Sequence, residues 1–83
     1  MLYNLIVTDR ARASLKAMSP DVARRVVKKL ERMRNGLAGD VKRLTKFEPA
    51  YRLRVGDWRV LFDLAGVDIL VHDVKHRSEV YDS

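Results

Sequence analysis

Residues 51–62 read Tyr51-Arg52-Leu53-Arg54-Val55-Gly56-Asp57-Trp58-Arg59-Val60-Leu61-Phe62, and this stretch decides the fold. Apolar and basic residues alternate on both sides of Gly56-Asp57, the pattern of two strands joined by a two-residue turn of the Gly-X kind. Closing the hairpin there sets Val55 opposite Trp58, Leu53 opposite Val60 and Tyr51 opposite Phe62. All six are apolar, and with Leu64 they make one face that must be covered. The other face carries Arg52, Arg54 and Arg59, with Arg54 directly opposite Arg59. Like charges facing each other across a sheet destabilise it by about a few tenths of a kcal/mol. A sequence that sets three guanidiniums on one face has accepted this repulsion; an anionic ligand would relieve it, and the planar guanidinium fork suits phosphate. The plainer alternative is a solvated strand surface neutralised by Asp57, Asp63 or Asp73.

Working outward, residues 58–64 complete the second strand, Ala65-Gly66 begins another turn, and residues 68–75 form a third strand. Upstream, residues 2–7 are short, apolar and β-prone, which predicts a first strand whose place in the sheet periodicity cannot fix. Thr8 or Asp9 can cap a helix running to about Met18, with Ala11, Leu15 and Met18 on one face. Ser19-Pro20-Asp21 restarts a helix, since serine suits the cap, proline the first helical position and aspartate the positive end of the dipole. Val22, Ala23, Val26, Val27, Leu30 and Met33 then recur at helical spacing, and Gly36 stands where a terminating glycine would. The order is β-α-α-β-β-β, an α+β fold in which an antiparallel sheet has an N-terminal helical hairpin packed on one face. Residues 1–83 are expected to form a single domain.

Composition narrows the function. The 83 residues have room for one core, and 47% hydrophobic with 34% charged residues suits a folded globule. Seventeen Lys and Arg against eleven Asp and Glu leave +6, so the expected partner is a polyanion or an acidic protein. No cysteine is present, which fits a reducing cytoplasm and excludes disulfide and thiolate chemistry. No apolar run is long enough to span a bilayer, and the first residues lack a basic leader, so neither membrane insertion nor secretion is expected. Lys42, Arg43 and Lys46 precede the hairpin, and residues 41–59 hold six basic residues against two acidic ones, Glu48 and Asp57. Arg24, Arg25, Lys28, Lys29, Arg32 and Arg34 make the second helix basic too, where a solvated helix face is the plainer explanation. His72 and His76 with Asp68 and Asp73 do not have convincing metal-ligand spacing on a strand, so no metal is expected. Trp58 and Phe62 read as core, and no nucleotide loop or serine or cysteine triad is present.

The hairpin residues 51–62, followed after the last strand by Lys75-His76-Arg77-Ser78-Glu79-Val80-Tyr81, resemble the RelE/ParE superfamily of bacterial toxin–antitoxin toxins. The resemblance covers nearly the whole length in size and element order. It implies, for the RelE-type branch, a toxin that enters the ribosomal decoding site and cuts messenger RNA there without metal or cofactor. Carried over by position, Arg52 and Arg54 stand at basic positions before the turn, and Arg59 matches the arginine after the turn aromatic. Arg77 lies in the basic stretch before the final motif, and Tyr81 matches its closing tyrosine. Lys42, Arg43, Lys46, Lys75 and His76 are the expected RNA-binding residues. Cleavage by the RNA 2′-OH needs phosphorane charge stabilised, which clustered guanidiniums supply. It also needs a proton acceptor and a donor. Lys46, Lys75 and His76 are donor candidates, Tyr81 could stack or transfer a proton, and Glu48 is a weaker candidate base. The resemblance further implies a cognate antitoxin, contact with ribosome and messenger RNA, and operator DNA bound only through the antitoxin. Two rivals stand beside it: the ParE-type branch, which poisons DNA gyrase without nuclease activity, and a non-catalytic binding module.

Overall fold

The computed structural model describes residues 1–44 and 49–80. The elements in chain order are β1 (Asn4–Val7), α1 (Asp9–Ala17), α2 (Pro20–Met33), β2 (Asp40–Arg43), β3 (Tyr51–Val55), β4 (Trp58–Ala65), β5 (Asp68–His76) and a 3-10 turn (Arg77–Glu79). One five-stranded sheet has the order β1-β5-β4-β3-β2.

The β3–β4 hairpin has the register its alternation demands, with Val55 facing Trp58, Leu53 facing Val60, Arg54 facing Arg59 and Tyr51 facing Phe62. Gly56 adopts φ +57° while Asp57 keeps a negative φ, which is how a type II′ turn joins right-twisted strands. Two features depart from the expected sheet. The sheet is mixed, because β1 lies at its edge parallel to β5, from Asn4 beside Asp68 to Val7 beside Val71. A further strand, β2, pairs antiparallel with β3 and makes the order β-α-α-β-β-β-β. The first strand is also shorter than residues 2–7, with Leu2 making only an isolated bridge to Asn35.

The helical hairpin covers one face of the sheet. Ala11, Val26, Leu30 and Met33 pack with Leu53, Val55, Val60, Phe62, Ile69, Val71 and Val74 in one core. Burying each of the larger side chains contributes roughly 1.5–3 kcal/mol. Trp58 packs at the edge of this core, only partly buried, and Phe62 at its centre. Thr8 fixes where α1 begins. Its hydroxyl accepts from the Ala11 N–H (3.2 Å) and donates toward the carbonyls of Val71 (2.9 Å) and His72 (3.0 Å), tying the cap to β5. Ser19 and Pro20 start α2 as their order predicts, although the Ser19 side chain makes no capping bond. The chain leaves α2 through Gly36 and Leu37, both at positive φ, with the Leu37 N–H returning to the Met33 carbonyl at 2.9 Å.

A bulge interrupts the β4–β5 ladder. Leu61 faces Asp73 but Phe62 faces Val71, leaving His72 as the extra residue. Val71 and Val74 both stay in the core while the two polar residues between them turn out of it.

Candidate functional site

Sheet register builds a row of charge on the face away from the helices. Asp40, Arg54, Arg59 and Lys75 lie side by side across β2, β3, β4 and β5. The next row runs Lys42, Arg52, Leu61 and Asp73, and ends at Asp73, whose carboxylate is held by Ser14 and Arg10 of α1. Strand pairing alone therefore gathers Arg52, Arg54, Arg59, Lys75 and Lys42.

Depth in the structure separates the three arginines. Arg54 is exposed and has no hydrogen bond or ion pair among the described residues. Arg59 is only 1% exposed, and its Nη1 donates to the Gly56 and Trp58 carbonyls at 2.8 and 3.0 Å. Arg52 is 5% exposed, its Nη1 donating to the Asp40 carbonyl at 2.9 Å and lying 3.3 Å from Asp40 Oδ1. The Nε atoms of both are buried without a partner. All three arginines keep the shared face that alternation gives them, but only Arg54 is exposed while Arg52 and Arg59 are buried. Each long side chain lies along the protein and spends its donors on backbone carbonyls of a neighbouring turn or strand end.

Burial pushes the Arg59 guanidinium below its ordinary pKa, and the nearby charges of Arg54, Arg52 and Arg77 push it further. Asp57 acts in the opposite direction. Arg77 joins the cluster because β5 ends opposite Trp58 and the following 3-10 turn docks on the hairpin turn. Its N–H donates to the Asp57 carbonyl at 2.7 Å, and its Nε lies 3.8 Å from Asp57 Oδ1. Two of the three carboxylates offered as neutralisers are engaged elsewhere, and the third, Asp57, stays within the cluster. Asp63 pairs with His72 and Asp73 with Arg10, while Asp57 lies beside Arg77. Four guanidiniums therefore share a region in which Asp40 and Asp57 are the engaged carboxylates, and Arg54 and Arg77 are its exposed members. Such a surface can hold phosphate oxygens through charge-assisted hydrogen bonds.

The other expected residues divide. His76 caps the 3-10 turn, its Nδ1 accepting from the Ser78 N–H at 3.3 Å, and its ring stands edge-on to Trp58 at 5.4 Å. Arg43 lies apart from the arginine cluster. Its position on β2 alternates with Lys42, and its guanidinium lies 5.9 Å over the Tyr51 ring. Lys46, Glu48 and Tyr81 lie outside the described residues.

Sequence reasoning passed over the Asp63–His72 pair. His72 Nε2 lies 3.0 Å from Asp63 Oδ2, and Asp63 Oδ1 accepts the Ala50 N–H at 2.7 Å. The pair sits in an open groove of about 490 Å³ lined also by Leu61, Asp73, Lys75 and Pro49. Its signal was the doubled polar step His72-Asp73 between Val71 and Val74, which breaks strand alternation as a bulge does. Among the described residues no group of three or more His, Asp or Glu side chains is arranged to hold a metal ion.

A helical hairpin thus covers one face of a small mixed sheet, and an arginine cluster lies on the other. Residues 5–81 match the family described as the ParE toxin of the type II toxin-antitoxin system, parDE. The chain belongs to this family, and with it to the RelE/ParE superfamily of type II toxins. Toxin RelE3 of Methanocaldococcus jannaschii is 35% identical over 48 residues, covering 58% of this chain and 54% of that protein. The aligned stretch spans about half the length of that relative. The RelB-RelE antitoxin-toxin complex from Methanococcus jannaschii matches with a TM-score of 0.74 and 25% identity, covering 93% of this chain and 95% of that one. The chromosomal ParDE system of P. aeruginosa shares the fold at a TM-score of 0.66 and 17% identity, over 90% of this chain and 96% of that one.

Proposed function

We propose that the chain is a ribosome-dependent endoribonuclease that cuts messenger RNA in the ribosomal A site. The observation that carries this reading is the cluster of Arg52, Arg54, Arg59 and Arg77, in which burial first and the neighbouring guanidiniums second lower the Arg59 pKa, a repulsion that an RNA phosphate would relieve. In the reaction the 2′-oxygen attacks the adjacent phosphorus, the bond to the 5′-oxygen breaks, and a 2′,3′-cyclic phosphate and a 5′-hydroxyl result. The proton leaves the 2′-OH and another is delivered to the 5′-oxygen. Arg54 and Arg77 are exposed and take the non-bridging oxygens, while Arg59 beneath them holds the turn and adds its field. Lys75, paired with Arg59 across the sheet, would donate the proton to the 5′-oxygen, with Lys46 and Tyr81 as further participants. Lys42 borders the same face, whereas His76 sits on the Trp58 side of β5 and Arg43 on the other side of β2. No metal or cofactor enters this scheme, and DNA, lacking the 2′-OH, is not cut.

The partners proposed with it are the ribosome, messenger RNA and a cognate antitoxin that is acidic where it binds, with operator DNA contacted only through that antitoxin. The proposed setting is the cytoplasm. Primer extension on message from a translation reaction with purified toxin tests the reaction directly. Cuts at the decoding site that vanish without ribosomes are the expected result, and intact message with growth still arrested rejects it. The second reading, inhibition of DNA gyrase without nuclease activity, gains from the ParE description of the matching family and from an Arg59 whose Nη1 is already committed to the turn carbonyls. A supercoiling assay with gyrase decides between them.

A further inference from the structure

The second cationic surface of the molecule lies on α2. The buried line of this helix is Val26, Leu30 and Met33. Arg25, Lys28, Lys29 and Arg32 are all exposed, and their spacing of i, i+3, i+4 and i+7 makes them one stripe, rotated roughly 110° from the buried line. Residues three and four apart face each other on a helix, so Arg25 meets Lys28 and Lys29, and Arg32 meets both from the next turn. These are like-charge contacts, which destabilise a helix. The two carboxylates of α2 do not answer them, since Asp21 holds Arg24 at 2.5 Å and Glu31 holds Arg34 at 3.2 Å. None of the four stripe cations has a hydrogen bond or ion pair among the described residues. An ordinary solvated helix face interleaves signs. This one concentrates four unpaired positive charges along roughly 10 Å of helix.

We propose that this stripe is a second RNA-docking surface, gripping the phosphate backbone of a structured RNA while the sheet face holds the strand to be cut. The charge argument stands on the helix alone; the choice of RNA rests on the proposed function. Two observations favour a nucleic-acid backbone over an acidic protein. A protein interface has an apolar centre and is depleted in lysine, whereas the stripe itself is all cations, with an apolar border only where Arg25 and Lys28 share a shallow groove with Ala23 and Val27. Nucleic-acid interfaces are far more positively charged and need no apolar anchor. The stripe and the arginine cluster lie on opposite sides of the sheet in a chain whose longest dimension is 31 Å. One copy can therefore touch two backbone segments at once, and the second contact multiplies the first through effective concentration.

The test compares three variants with the wild-type chain, binding to purified ribosomes and to a bare RNA duplex at several salt concentrations between about 50 and 200 mM. Arg25→Gln, Lys28→Gln, Lys29→Gln and Arg32→Gln together are expected to weaken ribosome binding at least tenfold at low salt. They should also flatten the log–log salt slope by about 3. Exchanging each stripe lysine for arginine and each arginine for lysine keeps wild-type binding. Arg54→Gln, on the sheet face, loses cleavage but changes the slope by no more than about 1. The glutamine variant relieves repulsion, so it should melt no lower than wild type by circular dichroism, which separates lost contact from lost fold. Unchanged affinity and slope in that variant overturn the proposal, as does intact RNA binding with loss of antitoxin binding alone. If the wild type binds through the stripe yet cuts nothing, the proposed reaction fails and the docking surface stands.

Discussion

Arg59 is a charged side chain held where water does not reach, with two carbonyl contacts, an unpartnered Nε and three arginines around it. The folded chain holds this proton less tightly than the unfolded chain does. Stability from this group therefore rises only on the alkaline side, as pH climbs through the depressed folded pKa, and is constant through neutrality. At neutral pH the charge is a net cost to folding. Arg59→Met removes the desolvation and repulsion and keeps most of the packing. We expect its urea midpoint to match or exceed wild type, by about 1 kcal/mol if the turn carbonyls find water. A loss above about 2 kcal/mol would mean that the carbonyl contacts dominate. Cleavage should fall in the same variant, separating the needs of the fold from those of the reaction. Alternation along β4 put Arg59 on the correct face and opposite Arg54, but alternation marks side and not depth. Nothing in residues 51–62 tells whether a guanidinium reaches outward or curls back to a carbonyl.

Elements were legible where apolar residues repeat. The hairpin register, both helix starts and the strand through Val74 follow from spacing and capping residues. β2 was not, because Asp40-Val41-Lys42-Arg43 offers a single apolar side chain and pairs by backbone to an already formed β3. That pairing depends on a tight approach at Gly39, which sits at φ +121° where a Cβ would meet Leu53 Cδ1 at 2.9 Å. Gly39→Ala should therefore cost about 1–3 kcal/mol, read as a lower urea midpoint and faster amide exchange along β2. A wild-type exchange pattern would show that the approach relaxes freely. Thr8 carries a comparable load at the other edge, since one hydroxyl caps α1 and bonds two β5 carbonyls. Thr8→Val, nearly isosteric, is expected to lower stability by about 1–2 kcal/mol in the same denaturation assay. A smaller change would assign capping to water.

At the scale of the whole molecule the surplus is charge. A net +6 on 83 residues, with four cations on α2 that have no ion pair among the described residues and an arginine cluster across the sheet, opposes compaction. Salt should therefore raise the melting temperature, and phosphate or sulfate should raise it more than chloride at equal ionic strength, because multivalent anions bind the clusters as well as screening them. For a chain this size each kcal/mol gained appears as about 4–8 °C. Equal effects of all three anions would argue for screening without a bound site. The parallel pairing of β1 with β5 has a consequence in time. Asn4 is made early and Asp68 follows 64 residues later, so at about 5–20 residues per second the first strand waits about 3–13 s for its neighbour. Throughout that interval the nascent chain lacks the completed sheet on which its arginines converge. Whatever this toxin attacks, the surface that would attack it cannot exist until β5 has been made.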